Sequence, residues 1–223
     1  MVTARKDIDT LVQRGLMVRT WGGAAIAGVG ASFEPLYRDK RDLNSEAKMR
    51  IANTAATLIE EGDTLILDSG STAFEVVSHL KEYKNLTVIT YDLMIAVELS
   101  TNSNVNVIVV GGIVRNNLYS LHGALTLQAL SDLHVDKVLL TADAVDAEWG
   151  VTNATIEGAS IKQALVKAAD EVILLADRSK FGRRALARVA PISSLDCVVA
   201  DGDLPEDIQE ALRDANVTLM LTD

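Results

Sequence analysis

Short apolar runs alternate along the chain with segments whose apolar residues recur every three or four positions. The runs TLILD, LTVIT and VILLAD are continuously apolar, as is typical of strands that are buried on both faces of a sheet. Between such runs, the segment 157–169 places Ile161, Leu165 and Ala168 on one helical face. This alternation predicts an α/β domain with a mostly parallel sheet and helices on both of its faces.

The same pattern predicts where the individual elements lie. Strands are expected over 64–68, 86–90, 105–110, 135–143, 172–177, 196–200 and 217–221, and helices over about 45–61, 72–80, 92–100, 125–133, 157–169 and 205–214. Residues 24–44 have no clear period and are expected to be irregular. In such sheets ligands bind beyond the carboxyl ends of the strands, so the loops at those ends are the candidates for a site.

Composition narrows the class of protein. Hydrophobic residues make up 48% of the 223 residues and aromatic residues only 4%, so Ala, Val, Leu and Ile must fill the core. The single cysteine, Cys197, excludes an internal disulfide. We find neither a secretory signal nor an apolar stretch of the ~20 residues that span a bilayer. These features predict a soluble cytoplasmic protein with no membrane partner.

The charge is distributed unevenly. The formal net charge is −10, but residues 1–23 contain four cations (Arg5, Lys6, Arg14 and Arg19) and two acids (Asp7 and Asp9). The head therefore carries +2, and the remaining residues carry −12. A basic head on an acidic body indicates different partners for the two parts.

The stretch LDSGST, residues 67–72, is the most suggestive of the strand-end loops. Gly70 allows the backbone to approach a ligand closely, and Ser71 and Thr72 lie at a predicted helix start, where unpaired N–H groups favour an anion such as phosphate. The simpler interpretation is a Ser/Thr-capped helix after a tight turn, since the loop has neither a P-loop lysine nor a G-x-G-x-x-G motif. Lys180 follows another strand end and can supply the positive partner, although most single lysines lie on the surface.

Polar or glycine-rich residues also follow the other strands. The candidate effector-binding residues are Asp68, Ser69, Gly70, Ser71, Thr72, Thr90, Tyr91, Asp92, Gly111, Gly112, Arg115, Asp143 and Lys180. The three histidines show no metal-ligand spacing, and no Gly-x-Ser-x-Gly or Cys/His pattern suggests a covalent nucleophile. We therefore expect no metal, no cofactor and no catalytic residue.

In their order and spacing, these loops resemble the effector domain of the DeoR family of bacterial transcriptional regulators. The matching stretches are TARKDIDTLVQRGLMVRTWGGA, FEPLYRDKRDLNSEAKMRIA, LDSGSTAFEVVSHL, VITYDLMIA, VVGGIVR, DKVLLTADAVD with a following GVT, and LLADRSKFG. The resemblance implies a sugar-phosphate sensor with the fold shared by ribose-5-phosphate isomerase and CoA transferases. Its effector is expected to be a phosphorylated sugar or related metabolite that lowers DNA affinity.

The resemblance also implies a domain organisation. Residues 1–23 are expected to be part of a winged helix-turn-helix, 24–44 a linker, and 45–223 the sensor domain. Thr3, Arg5 and Lys6 would lie on the recognition helix and Arg19 on the wing, where they contact DNA. Regulation of carbohydrate metabolism, with repression as the expected mode, and a homo-dimer or homo-tetramer follow from the family.

The sequence departs from the family pattern in three places. Two helices of the helix-turn-helix are missing before the recognition helix, so we expect this chain alone to bind DNA weakly or not at all. Ala144 stands where the family often has Gly, and Thr90-Tyr91-Asp92 replaces a Thr-Asn-Ser type of loop. Both of these changes affect the identity of the ligand more than its class.

An enzyme on the same fold is the alternative. A sugar-phosphate isomerase would use Asp143 or Asp146 as the base and Lys180 as the electrophile, and a CoA transferase would use a glutamate nucleophile such as Glu157. Against the isomerase, the chain has no Lys-Gly-rich loop of the kind that isomerases of this fold carry, and the basic head would have no purpose.

Overall fold

The structure is a computed structural model that describes residues 6–8, 10–11, 17–20, 23–26, 31–32, 34–101 and 104–222. The strands are β1 Met17–Thr20, β2 Gly23–Ile26, β3 Thr64–Leu67, β4 Leu86–Thr90, β5 Val105–Val109, β6 Ile113–Val114, β7 Leu121–His122, β8 Val135–Thr141, β9 Ala144–Asp146, β10 Gly150–Asn153, β11 Ala169–Ala176, β12 Ala187–Ala190, β13 Cys197–Asp201 and β14 Thr218–Thr222. The α-helices are α1 Tyr37–Asp42, α2 Ser45–Ala56, α3 Ser71–Val76, α4 Leu93–Ser100, α5 Ala124–Ser131, α6 Ile156–Ala168 and α7 Glu206–Asp214. Short 3₁₀ helices cover Val77–Glu82, Arg178–Lys180 and Ile192–Ser194.

A seven-stranded sheet forms the centre of the molecule, with strand order β14-β13-β11-β8-β3-β4-β5. All of its neighbouring strands pair in parallel, which confirms the sheet predicted from the alternating pattern. The chain builds from β3 through β4 to β5 on one side, and later strands add on the other side of β3, beginning with β8. The sheet therefore has a topological switch point between β3 and β8, where ligands bind in open α/β sheets.

Two apolar layers cover the faces of this sheet. Along β3, Leu65 and Leu67 face one layer and Ile66 faces the other, and all three are fully buried. Helices α2, α3 and α4 contribute to the first layer, whereas α5, α6 and α7 contribute to the second. The prediction of helices on both faces is thus confirmed, and the continuous apolar runs are explained by burial on both sides.

Some predicted boundaries differ from the structure. The helix predicted over 45–61 ends at Ala56, and the helix predicted over 72–80 becomes a 3₁₀ helix from Val77. The strand predicted over 135–143 ends at Thr141, where the backbone N–H donates to the side chain of Asp68 at 2.7 Å. A carboxylate thus replaces the next ladder partner and ends the strand.

The sequence pattern did not predict a small antiparallel sheet of β12, β10 and β9. Residues Gly150–Asn153 of β10 are all buried, so this strand lacks the alternation that marks a half-exposed strand. A Cβ at Gly150 would lie 2.2 Å from the carbonyl oxygen of Ala190 on β12, so only glycine allows the two backbones to approach so closely.

Irregular structure was expected for residues 24–44, and this was wrong for residues 24–26, which belong to β2, and for helix α1. The ammonium group of Lys48, on α2, donates to the carbonyl oxygens of Lys40 and Leu43 at the end of α1. Such a cap from another helix depends on tertiary structure. The local sequence of a six-residue helix therefore does not reveal it.

The described part of the head contains an antiparallel hairpin. Strand β1 pairs with β2 so that Arg19 lies opposite Ala24. Lys6 is exposed in a helical segment, whereas Thr3 and Arg5 lie outside the described residues. The DNA contacts of these four predicted residues stay a prediction.

Candidate ligand-binding site

A cavity of about 300 Å³ opens at the switch point of the sheet. The loop after β3 and the end of β8 meet there, and the hydroxyl oxygen of Thr141 lies 3.0 Å from the carbonyl oxygen of Ser69. The volume lies at the lower end of the range for small-molecule sites, ~300–1,000 Å³. Its position and size suit a small metabolite.

The structure brings many of the predicted effector-binding residues to this cavity. Eight of them line it: Ser69, Gly70, Ser71, Thr72, Tyr91, Arg115, Asp143 and Lys180. The other five do not line it: Asp68, Thr90, Asp92, Gly111 and Gly112. The side chains or backbone of this second group contact neighbouring segments of the protein instead.

Asp68 is fully buried beneath the loop that it begins. Its carboxylate accepts hydrogen bonds from the N–H of Ser69 (2.8 Å) and from both the N–H (2.7 Å) and the hydroxyl (2.8 Å) of Thr141, and it forms an ion pair with Lys162. The hydroxyl of Tyr91 donates to the same carboxylate. Asp68 therefore ties β3, β4, β8 and α6 together and orients the loop that faces the cavity.

Asp92 holds the other side of the same loop. It caps α4 by accepting from the N–H groups of Met94 (2.8 Å) and Ile95 (3.2 Å), and it also accepts from the hydroxyl of Ser69 (2.8 Å) and the N–H of Gly70 (3.3 Å). Burial raises the pKa of Asp92, although these four donors oppose the change. The backbone of Gly70, at φ +139°, lies in a region that essentially only glycine adopts. Two buried acids thus fix the backbone of residues 68–70.

Gly112 and Thr90 have structural contacts. A Cβ at Gly112 would lie 2.1 Å from the hydroxyl oxygen of Thr126, which itself donates to the carbonyl oxygen of Gly111 at 2.8 Å. The hydroxyl of Thr90 accepts from the N–H of Asp92 at 3.1 Å. Gly112 therefore lets the chain pass close to α5.

Lysines that the sequence analysis did not select also line the cavity. Lys40 on α1 forms ion pairs with Glu34 (3.2 Å) and Asp143 (3.3 Å). Burial acts to lower the pKa of Lys40, but the two carboxylates outweigh it and hold that pKa above its ordinary value. Burial conversely acts to raise the pKa of Asp143, and the attraction of Lys40 holds it below its ordinary value. Both groups are charged at neutral pH.

Two lysines of the cavity wall, Lys48 and Lys180, have a pKa below the ordinary value for lysine. Burial lowers the pKa of Lys48 to about 8, with Asp177 opposing the change and Lys180 adding to it. Burial also lowers the pKa of Lys180, where Asp177 opposes the change and Lys40 adds to it. An anion in the cavity would relieve this mutual repulsion.

Two buried, uncharged polar groups of the cavity wall have no hydrogen-bond partner within the described part of the chain. They are the hydroxyl of Tyr37 and Nδ1 of His122, whose Nε2 lies 3.0 Å from the hydroxyl oxygen of Ser120. Burial, together with Arg115, lowers the pKa of His122 to about 4, so the ring is neutral at neutral pH. Because unpaired buried polar groups cost free energy, these two atoms point to a ligand with hydroxyl groups.

The cavity is positively charged although the chain is acidic. Its wall contains five cationic side chains, Lys40, Lys48, Arg115, Lys162 and Lys180, and three acidic ones, Glu34, Asp143 and Asp177. The wall thus has a formal excess of two positive charges in a chain of net charge −10. The arrangement can bind an anion and hydrogen-bond to a polar carbon skeleton.

The sequence offered little signal for the residues that were missed. Lys162 follows Ile161 on a helix whose apolar face was recognised, and a lysine there normally reaches solvent. In the structure, Gly158 one turn earlier also lines the cavity, and a Cβ at this glycine would lie 2.4 Å from the side chain of Asn153. The signal that the sequence contained for this part of the site was a glycine and a lysine four residues apart on one predicted helix.

Two further features bear on other classes of function. No helix in the described ranges is long and apolar enough to cross a membrane. Among the same residues, no group of three or more His, Cys, Asp or Glu side chains could hold a metal ion.

Comparison with known proteins gives a consistent set of relatives. The model of the family described as DeoR C terminal sensor domain matches residues 43–202. The glycerol-3-phosphate regulon repressor of Escherichia coli strain K12 is 30% identical over 219 residues, which cover 98% of this chain and 86% of the relative. The transcriptional repressor AccR of Agrobacterium fabrum is 34% identical over 222 residues, which cover 96% of this chain and 84% of the relative.

A solved structure resembles part of the chain. Ribose 5-phosphate isomerase A from Methanocaldococcus jannaschii is similar over 62% of this chain and 55% of its own, with a TM-score of 0.46 and 18% sequence identity.

Proposed function

Because the chain belongs to the DeoR family, whose C-terminal sensor domain it matches over residues 43–202, we propose that it regulates transcription in response to a small metabolite. The relatives described above are repressors, so we propose repression, of genes for carbohydrate metabolism, as the mode. The observation that carries the proposal is the positively charged cavity at the switch point of the sheet, inside the region that matches the sensor family.

We propose a phosphorylated sugar as the effector. A phosphate is favoured by the excess of cations in the cavity wall and by the first N–H groups of α3, which receive no side-chain cap from Gly70. In this arrangement Gly70, Ser71 and Thr72 surround the phosphate, and Lys48 and Lys180 balance its charge. The unpaired atoms of Tyr37 and His122, with Asp143, contact the sugar hydroxyls.

We further propose that the chain is not an enzyme. A general base is most effective when its pKa lies near the working pH, whereas Lys40 holds the pKa of Asp143 low. Asp146, the second candidate base, does not line the cavity and is paired with Arg184 at 2.8 Å. Glu157, the candidate transferase nucleophile, is exposed and also does not line it. Turnover of pentose phosphates by the purified protein would contradict this proposal.

DNA is the proposed macromolecular partner, bound through Thr3, Arg5, Lys6 and Arg19 when a complete winged helix-turn-helix is present. We propose a homo-dimer or homo-tetramer, as suits repeated half-sites. Light scattering of the purified protein checks the oligomeric state, and a monomer at working concentration would contradict it.

Thermal unfolding with added ligand tests the effector class. A sugar phosphate at a hundredfold excess over its Kd should stabilise the protein by about 2.7 kcal/mol, and the same sugar without phosphate should do much less. Ser71→Ala and Thr72→Ala should weaken the phosphorylated ligand selectively. Equal stabilisation by both forms of the sugar would contradict a phosphate site.

A further inference from the structure

One wall of the cavity contains a chain of four alternating charges. Arg115 lies 2.9 Å from a carboxylate oxygen of Glu34, the other oxygen of Glu34 lies 3.2 Å from Lys40, and Lys40 lies 3.3 Å from Asp143. All four side chains line the cavity, and those of Glu34 and Asp143 are only 15% exposed. Glu34 therefore occupies the space between two cations in the manner of a bound anion.

The two carboxylates of this chain are anchored differently. Asp143 lies between β8 and β9 and accepts a second hydrogen bond from the N–H of Ala154 at 2.9 Å. Glu34 lies before α1 in residues 34–36, which have no regular secondary structure. A carboxylate on such a segment can move away with a small change of backbone, whereas Asp143 is fixed by the sheet.

From this contrast we propose that Lys40 and Arg115 form an anion subsite of the cavity, and that the carboxylate of Glu34 occupies this subsite until the phosphate of the effector displaces it. The inference rests on the proposed function, and it adds Glu34 and Lys40 to the effector site. Glu34 competes with the ligand for these cations, so it lowers the affinity of the protein for phosphate.

Phosphate is the stronger ligand for such a pair of cations. It carries close to two negative charges at neutral pH and three strong acceptor oxygens, whereas a carboxylate carries one charge and two oxygens. The hydroxyl of Ser71 donates to the backbone carbonyl oxygen of Lys40 at 3.2 Å, and both residues line the cavity. In the proposal, one phosphate contacts both the side chain of Lys40 and residues 70–72.

Calorimetric titration of Glu34→Gln against wild type tests the proposal, with inorganic phosphate, ribose 5-phosphate and unphosphorylated ribose as the three probes. Removing the competing charge should tighten binding of both phosphorylated probes by about tenfold, the scale of one charge-assisted hydrogen bond. The affinity for ribose should not change. The gain in affinity should disappear in the Lys40→Met background, because the cation for which Glu34 and phosphate compete is then absent.

Matched variants keep the result interpretable. Glu148→Gln changes the net charge by the same amount but lies in an exposed pair with Arg184, so it should leave the affinity for phosphate unchanged. Glu34→Asp keeps the charge, retracts the carboxylate by one methylene, and should give a smaller gain if Glu34→Gln does not fold.

The outcomes separate this inference from the proposed function. If wild type binds phosphate and Glu34→Gln binds it equally well or more weakly, the inference alone is overturned. Glu34 would then either have no effect on phosphate binding or contribute to it. Failure of wild type and variant alike to bind either phosphorylated probe would overturn both. Binding by the variant only would support the competition in its strongest form.

Discussion

Replacing Lys162 by Met should destabilise the protein strongly, although the two side chains have similar length. The ammonium group of Lys162 forms an ion pair with Asp68, and it donates to both the carbonyl (3.0 Å) and hydroxyl (3.0 Å) oxygens of Thr141. The side chain of Lys162 is 7% exposed and that of Asp68 is not exposed at all. The substitution therefore leaves a carboxylate without its cation in the centre of the fold.

The magnitude follows from what Asp68 retains. Removing one partner of a buried ion pair costs about 3–5 kcal/mol. Asp68 keeps its hydrogen bonds from Ser69, Tyr91 and Thr141, so we expect the lower value, about 3 kcal/mol. For a domain of this size each kcal/mol shifts the midpoint of thermal unfolding by about 2–4 °C, which predicts a loss of about 6–12 °C.

Urea unfolding monitored by circular dichroism measures this loss. Lys81→Met is the control, because its pair with Glu98 spans 3.5 Å between side chains that are 51% and 44% exposed, and it should cost less than about 1 kcal/mol. Adding Asp68→Asn to Lys162→Met should recover part of the stability, since the unpaired charge is then removed. A loss from Lys162→Met that is no larger than the loss from Lys81→Met would refute the assignment of Asp68 and Lys162 as a supporting pair.

Two further predictions concern the cavity and its support. Affinity for a phosphorylated ligand should be highest near pH 7 and fall by up to about tenfold per pH unit above pH 8, because Lys48 has a pKa of about 8 and loses its charge there. Phosphate has a second pKa of about 6, so its own ionisation is already complete above pH 7 and does not cause this fall. Titration at several pH values checks this, and a Lys48→Arg profile that falls equally would contradict it. Gly112→Ala should cost about 1–3 kcal/mol through the clash with Thr126, whereas Gly111→Ala, whose Cβ would meet nothing within 4 Å, should be nearly neutral in the same unfolding assay; equal losses would show that the close approach of Gly112 to α5 is unimportant.

The sheet and the loops at its carboxyl ends could be predicted because they depend on local patterns and a general rule of topology. Continuous apolar runs identify strands buried on both faces, and parallel strands bring the following loops to one edge. The pattern predicts that Lys180 reaches the same crevice as Ser69–Thr72, and all five residues line the cavity. It could not separate the loop residues that face the cavity from those, such as Asp68 and Asp92, that face inward to hold the loop.

The lysines of the cavity depend on helix packing, which the sequence does not reveal. Lys40, Lys48 and Lys162 all lie on helices, where a single lysine normally reaches solvent. Their burial follows from how α1, α2 and α6 close over the edge of the sheet. The small antiparallel sheet was missed for a similar reason, since its central strand β10 is short and wholly buried.

Residues 34–44 lie in the chain between the hairpin of β1 and β2 and the sensor region, and several of them line the cavity. Among them, Glu34, Tyr37 and Lys40 belong to the cavity wall. A ligand can shift an equilibrium only if it binds two states unequally. If phosphate replaces the carboxylate of Glu34 at Lys40, the ligand binds more tightly to the state in which Glu34 is displaced. The segment between head and sensor would then differ between the free and bound protein, and the regulatory signal needs no contact between the ligand and the head.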